Sequence, residues 1–185
     1  MRAALFTGSA LAAALALVAL GAPGAGAAGP LTLAGGSFAP ATDLPAPTAV
    51  TFAPDLVPAG AGARVLAVAR DGGTRVTLEV RGLLPHHEYP AHVHTRACGT
   101  APGDSGPHYQ DRVDPVQPST DPAYANDRNE VHLLLRTDAH GDGAASAEVG
   151  WTFRPGGAHS LVLHAGPDAG GHPAVERVGC VNADF

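Results

Sequence analysis

The clearest pattern along the chain has a period of two. Over residues 74–81, Thr-Arg-Val-Thr-Leu-Glu-Val-Arg, apolar and polar side chains alternate. That is the signature of a strand with one buried face. Residues 64–70 form a similar run, separated from the first by the turn signal Asp71-Gly72-Gly73, so the two predict a hairpin. Short apolar runs predict further strands over residues 49–52, 89–94, 130–137, 145–153, 159–164 and 175–181. His140-Gly141-Asp142-Gly143 supplies another turn. No stretch has the 3.6-residue period of an amphipathic helix. About eight short antiparallel strands with Gly- and Pro-rich turns predict an all-β Greek-key sandwich or barrel over residues 49–185.

Two segments stand apart from this pattern. Residues 1–27 read as a secretory signal: Arg2, an apolar run over residues 10–20, then the small-residue site Ala25-Gly26-Ala27. The run is short for a membrane span, and no second hydrophobic stretch follows. Residues 28–48, rich in Gly, Pro, Ala and Thr, read as a flexible linker. Residues 95–127 lack periodicity and carry five prolines. Irregular stretches of that length in a compact domain are usually functional, or pinned by a crosslink or a metal.

Composition narrows the function classes. The 185 residues include 11 arginines, no lysine and 17 acidic residues. With the signal removed the net charge is −7, which speaks against nucleic-acid binding. No nucleotide-loop, nucleophile-elbow or paired-cysteine redox motif is present. Ten histidines and two cysteines remain to be explained. Two cysteines in an exported chain suggest one disulfide.

His92-Val93-His94 is the sharpest local feature, because residues i and i+2 of a strand share a face and could share a metal ion. Two surface histidines would look the same. Gly106-Pro107-His108 follows after a tight backbone approach. Ser160-Leu161-Val162-Leu163-His164 ends an apolar run with a fourth histidine, and Arg177 precedes Cys180 by three residues. On a regular strand Arg177 and Cys180 face opposite sides.

In this order, HVH, GPH, LVLH and R-x-x-C resemble the Cu/Zn superoxide dismutase family, over most of residues 49–181. Asp121-Pro122-Ala123-Tyr124-Ala125-Asn126 and Asn129-Glu130-Val131 are similar to its secreted actinobacterial members. The resemblance implies a Greek-key sandwich and copper held by His92, His94, His108 and His164. It implies Arg177 beside the copper as the guide for superoxide, and a disulfide between Cys98 and Cys180. The implied activity is an exported enzyme, secreted or in the cell envelope, that converts superoxide to oxygen and hydrogen peroxide. A non-catalytic copper-binding or copper-delivery protein on the same fold is the alternative.

The zinc half of the family pattern is missing. Between His108 and His140 there is only His132, read as a structural histidine facing one side of a sheet. The segment from His164 to Arg177 is also short. Both features resemble copper-only members, in which a carboxylate can orient a ligand histidine as zinc otherwise would. Glu130 is the candidate for that role beside His108, with a solvated charge at a strand start as its alternative reading. His86, His87, His140, His159 and His172 are read as exposed, and Trp151 as a core residue.

Overall fold

A computed structural model describes residues 29–43, 45–167 and 175–185. The expected signal, residues 1–27, and His172 lie outside them. Nine strands form one nearly closed, barrel-shaped sheet: β1 Leu31–Pro40, β2 Ala49–Thr51, β3 Gly62–Arg70, β4 Gly73–Arg81, β5 Glu88–His94, β6 His132–Arg136, β7 Gly143–Val149, β8 Ser160–His164 and β9 Arg177–Asn182. Their order is β6-β5-β8-β9-β2-β1-β3-β4-β7, and the two end strands β6 and β7 lie side by side. Strands β5, β6 and β7 follow one another around the barrel, and β4 lies beside β7. This is a Greek-key arrangement. Among the described residues no α-helix occurs and no helix is long and apolar enough to cross a membrane.

The period-two reading translates directly into packing. In β4, Val76, Leu78 and Val80 are buried while Arg75 and Glu79 are exposed. They join Val65 and Ala67 of β3, Tyr89, Ala91 and Val93 of β5, Leu133 and Leu135 of β6, and Leu161 and Leu163 of β8 in one core. β8 is buried along its whole length. Its odd-numbered residues fill the barrel, and Val162 packs on the other face against Val50 and Cys180. That outer face is covered by the irregular segment that follows β5, and this second layer is where the histidines lie.

Residues 31–40 correct the linker expectation. They form β1, which pairs antiparallel with β3 over residues 31–37 and parallel with β2 over residues 38–40. Phe38 is buried in the core. The segment escapes a hydrophobicity reading because Leu31 and Leu33 point to solvent, and backbone ladders on both sides carry most of its binding. Gly35, at φ 144°, permits the crossing, since a Cβ there would run into the Ala63 carbonyl. The sheet therefore has one strand more than expected and one parallel pair. The strand expected over residues 145–153 stops at Val149. Trp151 and Phe153 lie beyond it and stack on Tyr109, with ring centroids 5.5 and 5.0 Å away.

A further correction concerns β9. Leu163 pairs with Gly179 but His164 pairs with Arg177, so Val178 is an extra residue in the ladder. The bulge reverses the alternation. Val178 and Val181 enter the core, while Arg177 and Cys180 both reach the covering segment, Arg177 by hydrogen bonds to Pro102 and Ser105 and Cys180 by a disulfide to Cys98.

That disulfide closes a loop of 82 residues. Loop-closure entropy for such a span gives a stabilisation of about 4.5 kcal/mol, at the upper end for a single crosslink. A Cys98→Ser/Cys180→Ser variant should lose a large part of this in denaturant unfolding. The loss should be accompanied by faster amide exchange in residues 95–108, the segment the bond holds against β9. Unchanged exchange there would show that the segment is held by its other contacts.

Candidate metal centre

Two strands and one loop deliver the histidines. On β5, Ala91 and Val93 point into the core, so His92 and His94 point out of the barrel on one face. β8 pairs with β5 and ends at His164. His108 arrives from the covering segment. Tyr109 N–H donates to the Val93 carbonyl at 2.7 Å and Thr95 N–H to the Pro107 carbonyl at 3.0 Å, so the chain around His108 runs as a short strand against the end of β5. Tyr109 is fully buried, and alternation then turns His108 towards the other imidazoles.

The rings converge. The His92 and His108 centroids lie 4.1 Å apart, and His164 is 5.0 Å from His92. One nitrogen each of His92, His108 and His164 lies within 4.8 Å of the others, so the three could hold one ion. His94 stands just outside this trio, with its ring 4.8 Å from that of His108 and 5.9 Å from that of His164.

For His94 and His164, hydrogen bonds on the far side of the ring fix the tautomer. His94 Nδ1 donates to the Gly106 carbonyl at 2.9 Å and His164 Nδ1 to the Val175 carbonyl at 2.8 Å. A carbonyl can only accept, so Nδ1 carries the proton and Nε2 keeps its lone pair. Those two Nε2 atoms and His92 Nδ1 are buried with no hydrogen-bond partner. Buried polar atoms are nearly always paired. Three orphans in one place, all imidazole nitrogens, fit a metal ion as the missing partner.

Electrostatics keep these rings neutral. Burial, reinforced by the neighbouring imidazoles, lowers the pKa of His92 to about 2. Burial and His108 lower that of His94 to about 3, and burial lowers that of His164 to about 4. Neutral imidazole is the form that binds metal.

Glu130 lies behind His108. It is almost fully buried. Its Oε2 accepts from His108 Nδ1 at 2.8 Å and from His132 Nε2 at 3.0 Å, and its Oε1 accepts from Gln110 Nε2 at 2.7 Å. Burial alone would raise its pKa, but these three donors hold it well below the usual carboxylate range. The solvated-charge reading of Glu130 is therefore excluded. With Nδ1 donating to this carboxylate, His108 also turns Nε2 to the cluster.

Arg177, beside His164 in the ladder, donates from Nη1 to the Pro102 carbonyl at 3.0 Å and to Ser105 Oγ at 2.9 Å. A cavity of about 190 Å³ opens between Arg177 and His108, with Glu130, Gln117 and Ser119 in its wall. Its size suits a small anion.

His132 was not recognised in the sequence as part of this assembly. It pairs with His92 across β5 and β6, and its ring meets that of His92 edge-on at 4.8 Å. Its nitrogen, that of His108 and a Glu130 oxygen lie within 4.8 Å of one another. The signal was present: Glu130-Val131-His132 has the same i, i+2 spacing as His92-Val93-His94. His87 also departs from expectation. It is buried, with Nε2 bonded to the Ala165 carbonyl at 2.6 Å, and that carbonyl meets the polar need of a ring inside the fold. His86 and His140 are exposed, and His159 is half-buried, paired with Asp184 at 2.7 Å.

The neutral histidines make the metal-free protein acid-sensitive. Below pH 6.5 the unfolded chain takes up protons that the folded one refuses, so stability falls with pH down to the folded-state values of about 4, 3 and 2. At pH 5 this costs about 2 kcal/mol per histidine. Urea titrations of metal-free protein from pH 7 to 5 should show the loss, and His94→Gln should reduce its slope. No family model matches the chain, and no curated protein matches it.

Proposed function

We propose that this chain is a copper-dependent superoxide dismutase acting outside the cytoplasm. The observation that carries the reading is the convergence of His92, His108 and His164 nitrogens within 4.8 Å of one another, with unpartnered buried nitrogens on His92, His94 and His164, beside a small cavity walled by Arg177. An all-imidazole donor set suits copper, and the order of motifs resembles the copper half of the dismutase family. His92 through Nδ1, and His94, His108 and His164 through Nε2, are the residues that would hold it. Copper bound there supplies one-electron cycling between Cu(II) and Cu(I), by which one superoxide becomes oxygen and a second, with two protons, becomes hydrogen peroxide.

The chain's own residues supply the rest. The Gly106 and Val175 carbonyls aim His94 and His164. Glu130 aims His108 through the short hydrogen bond at Nδ1. In this reading it takes over the orienting task that zinc performs in the wider family, and no zinc is required. Arg177 keeps a permanent positive charge beside the cavity in a chain of net charge −6. The disulfide and the leader-like residues 1–27 favour export into an oxidising compartment.

The test is a metal count, copper and zinc measured separately, together with superoxide consumption by the copper-loaded protein. The expected result is one copper per chain, no zinc requirement and rapid consumption. Arg177→Ala should keep copper and lose about tenfold in rate, with a flatter salt dependence. A protein that takes up copper and leaves superoxide decaying at the buffer rate is instead the copper carrier of the alternative reading.

A further inference from the structure

The arginines among the described residues are held in different ways. Arg75 and Arg136 are ion-paired, with Glu148 and Glu88. Arg112 and Arg154 donate to backbone carbonyls and lie over the rings of Tyr124 and Tyr109. Arg96 and Arg177 differ. Like most arginines among the described residues, the two have no ion-paired carboxylate there; what sets them apart is that both reach Ser105. Burial and then the nearby charge of Arg96 lower the pKa of Arg177, so the two like charges feel one another.

Both reach Ser105. Arg177 Nη1 donates to Ser105 Oγ at 2.9 Å, and Arg96 N–H donates to the Ser105 carbonyl at 3.0 Å. The Arg96 side chain then crosses Gly106. A Cβ on Gly106 would lie 2.7 Å from Arg96 Nε and 3.3 Å from Cγ, so the absence of a side chain there makes the seat. Gly106 has φ 74°, a conformation that also favours glycine. Its carbonyl accepts the His94 hydrogen bond. The Ser105-Gly106 dipeptide thus binds the Arg177 guanidinium, lies against the Arg96 side chain and aims a histidine of the candidate centre. Arg177 is half-buried at the cavity, and Arg96 is exposed to solvent. Two like charges held near one another repel, and an anion passing between them lowers that cost.

We propose that Arg96 is a second anion-guiding residue of the site: seated over Gly106, it collects a small anion from solvent and passes it to Arg177 and the cavity beside His108. The inference deepens the dismutase reading and rests on it. In that reading the segment between His164 and Arg177 is short, and Arg96, exposed to solvent beside the Ser105-Gly106 turn, supplies positive charge on the approach. Arg96 is a positioning residue for the anion and does not touch the metal-binding nitrogens.

Azide, a small anion, is the probe. Its affinity for the copper-loaded full chain is followed by the visible absorption of Cu(II), with superoxide consumption measured in parallel at low and high salt. Arg96→Gln should weaken azide binding and slow superoxide consumption by about two- to fivefold at low salt, and Arg96→Glu by more. Both losses should shrink as salt rises, with copper content unchanged. Arg70→Gln, an exposed charge on β3, should leave both unaltered. Wild-type azide affinity in Arg96→Glu overturns the inference. So does an equal loss in Arg70→Gln, which would mark an effect of net charge alone, or loss of copper from Arg96→Gln, which would mark a role in holding His94. Azide binding that depends on Arg96 in a protein inert to superoxide sinks the dismutase reading and leaves the anion path standing. A chain that takes up no copper overturns both.

Discussion

The structure turns on the burial of imidazole lone pairs. His92 Nδ1, His94 Nε2 and His164 Nε2 are shut away from water with nothing in the chain to pair with. Each such atom costs about 1–3 kcal/mol if left unmet, and each ring could relieve that by turning outward. None is free to do so. The Nδ1–H groups of His94 and His164 are tied to backbone carbonyls, and His92 is stacked on His108 and met edge-on by His132 and His164. The fold accepts a local polar cost that keeps these rings neutral and held in place. That preorganisation is what a metal site needs from its protein.

Holding that arrangement requires a second layer outside the barrel, and several features of the chain serve it. The bulge at Val178 brings Arg177 and Cys180 to the same side. The Cys98–Cys180 bond fastens the covering segment to β9. Ser105 and Gly106 anchor two arginines and one histidine. Gln110 links Glu130 to the next part of the segment, since its Oε1 accepts from Asp114 N–H and from Gln117 Nε2. Asp114 in turn accepts from the Ser119 hydroxyl. The cavity wall at Gln117 and Ser119 is therefore continuous with the carboxylate behind His108. A loop of this length without regular structure keeps its shape through these buried polar bonds in place of a hydrophobic core of its own.

Legibility in the sequence followed the strength of each local signal. Strands β3 and β4 were readable because their alternation is strict and only one face is buried. His92 and His94 were readable as a pair for the same reason. β1 was not, because its apolar residues Leu31 and Leu33 face solvent and its place is set by ladders to β2 and β3 that no composition reveals. His132 was passed over because a single histidine at the head of an apolar run looks structural, and only the cross-strand pairing with His92 brings it to Glu130. His87 looked like a turn residue, and the carbonyl that makes its burial tolerable belongs to Ala165, 78 residues away.

By itself the sequence determined an all-β fold, the shared face of His92 and His94, and a small set of histidines, one arginine and two cysteines in a suggestive order. These are local properties, fixed by a period of two and by residue chemistry. The tertiary structure decided which nitrogens are orphaned, that Glu130 bridges two histidines while buried, that Arg177 reverses its face, and that Arg96 shares its seat. Each of these depends on a register, a bulge or a contact between segments far apart in the chain. Such contacts are settled by the packing of the whole barrel and its covering segment, and no short stretch of sequence carries them.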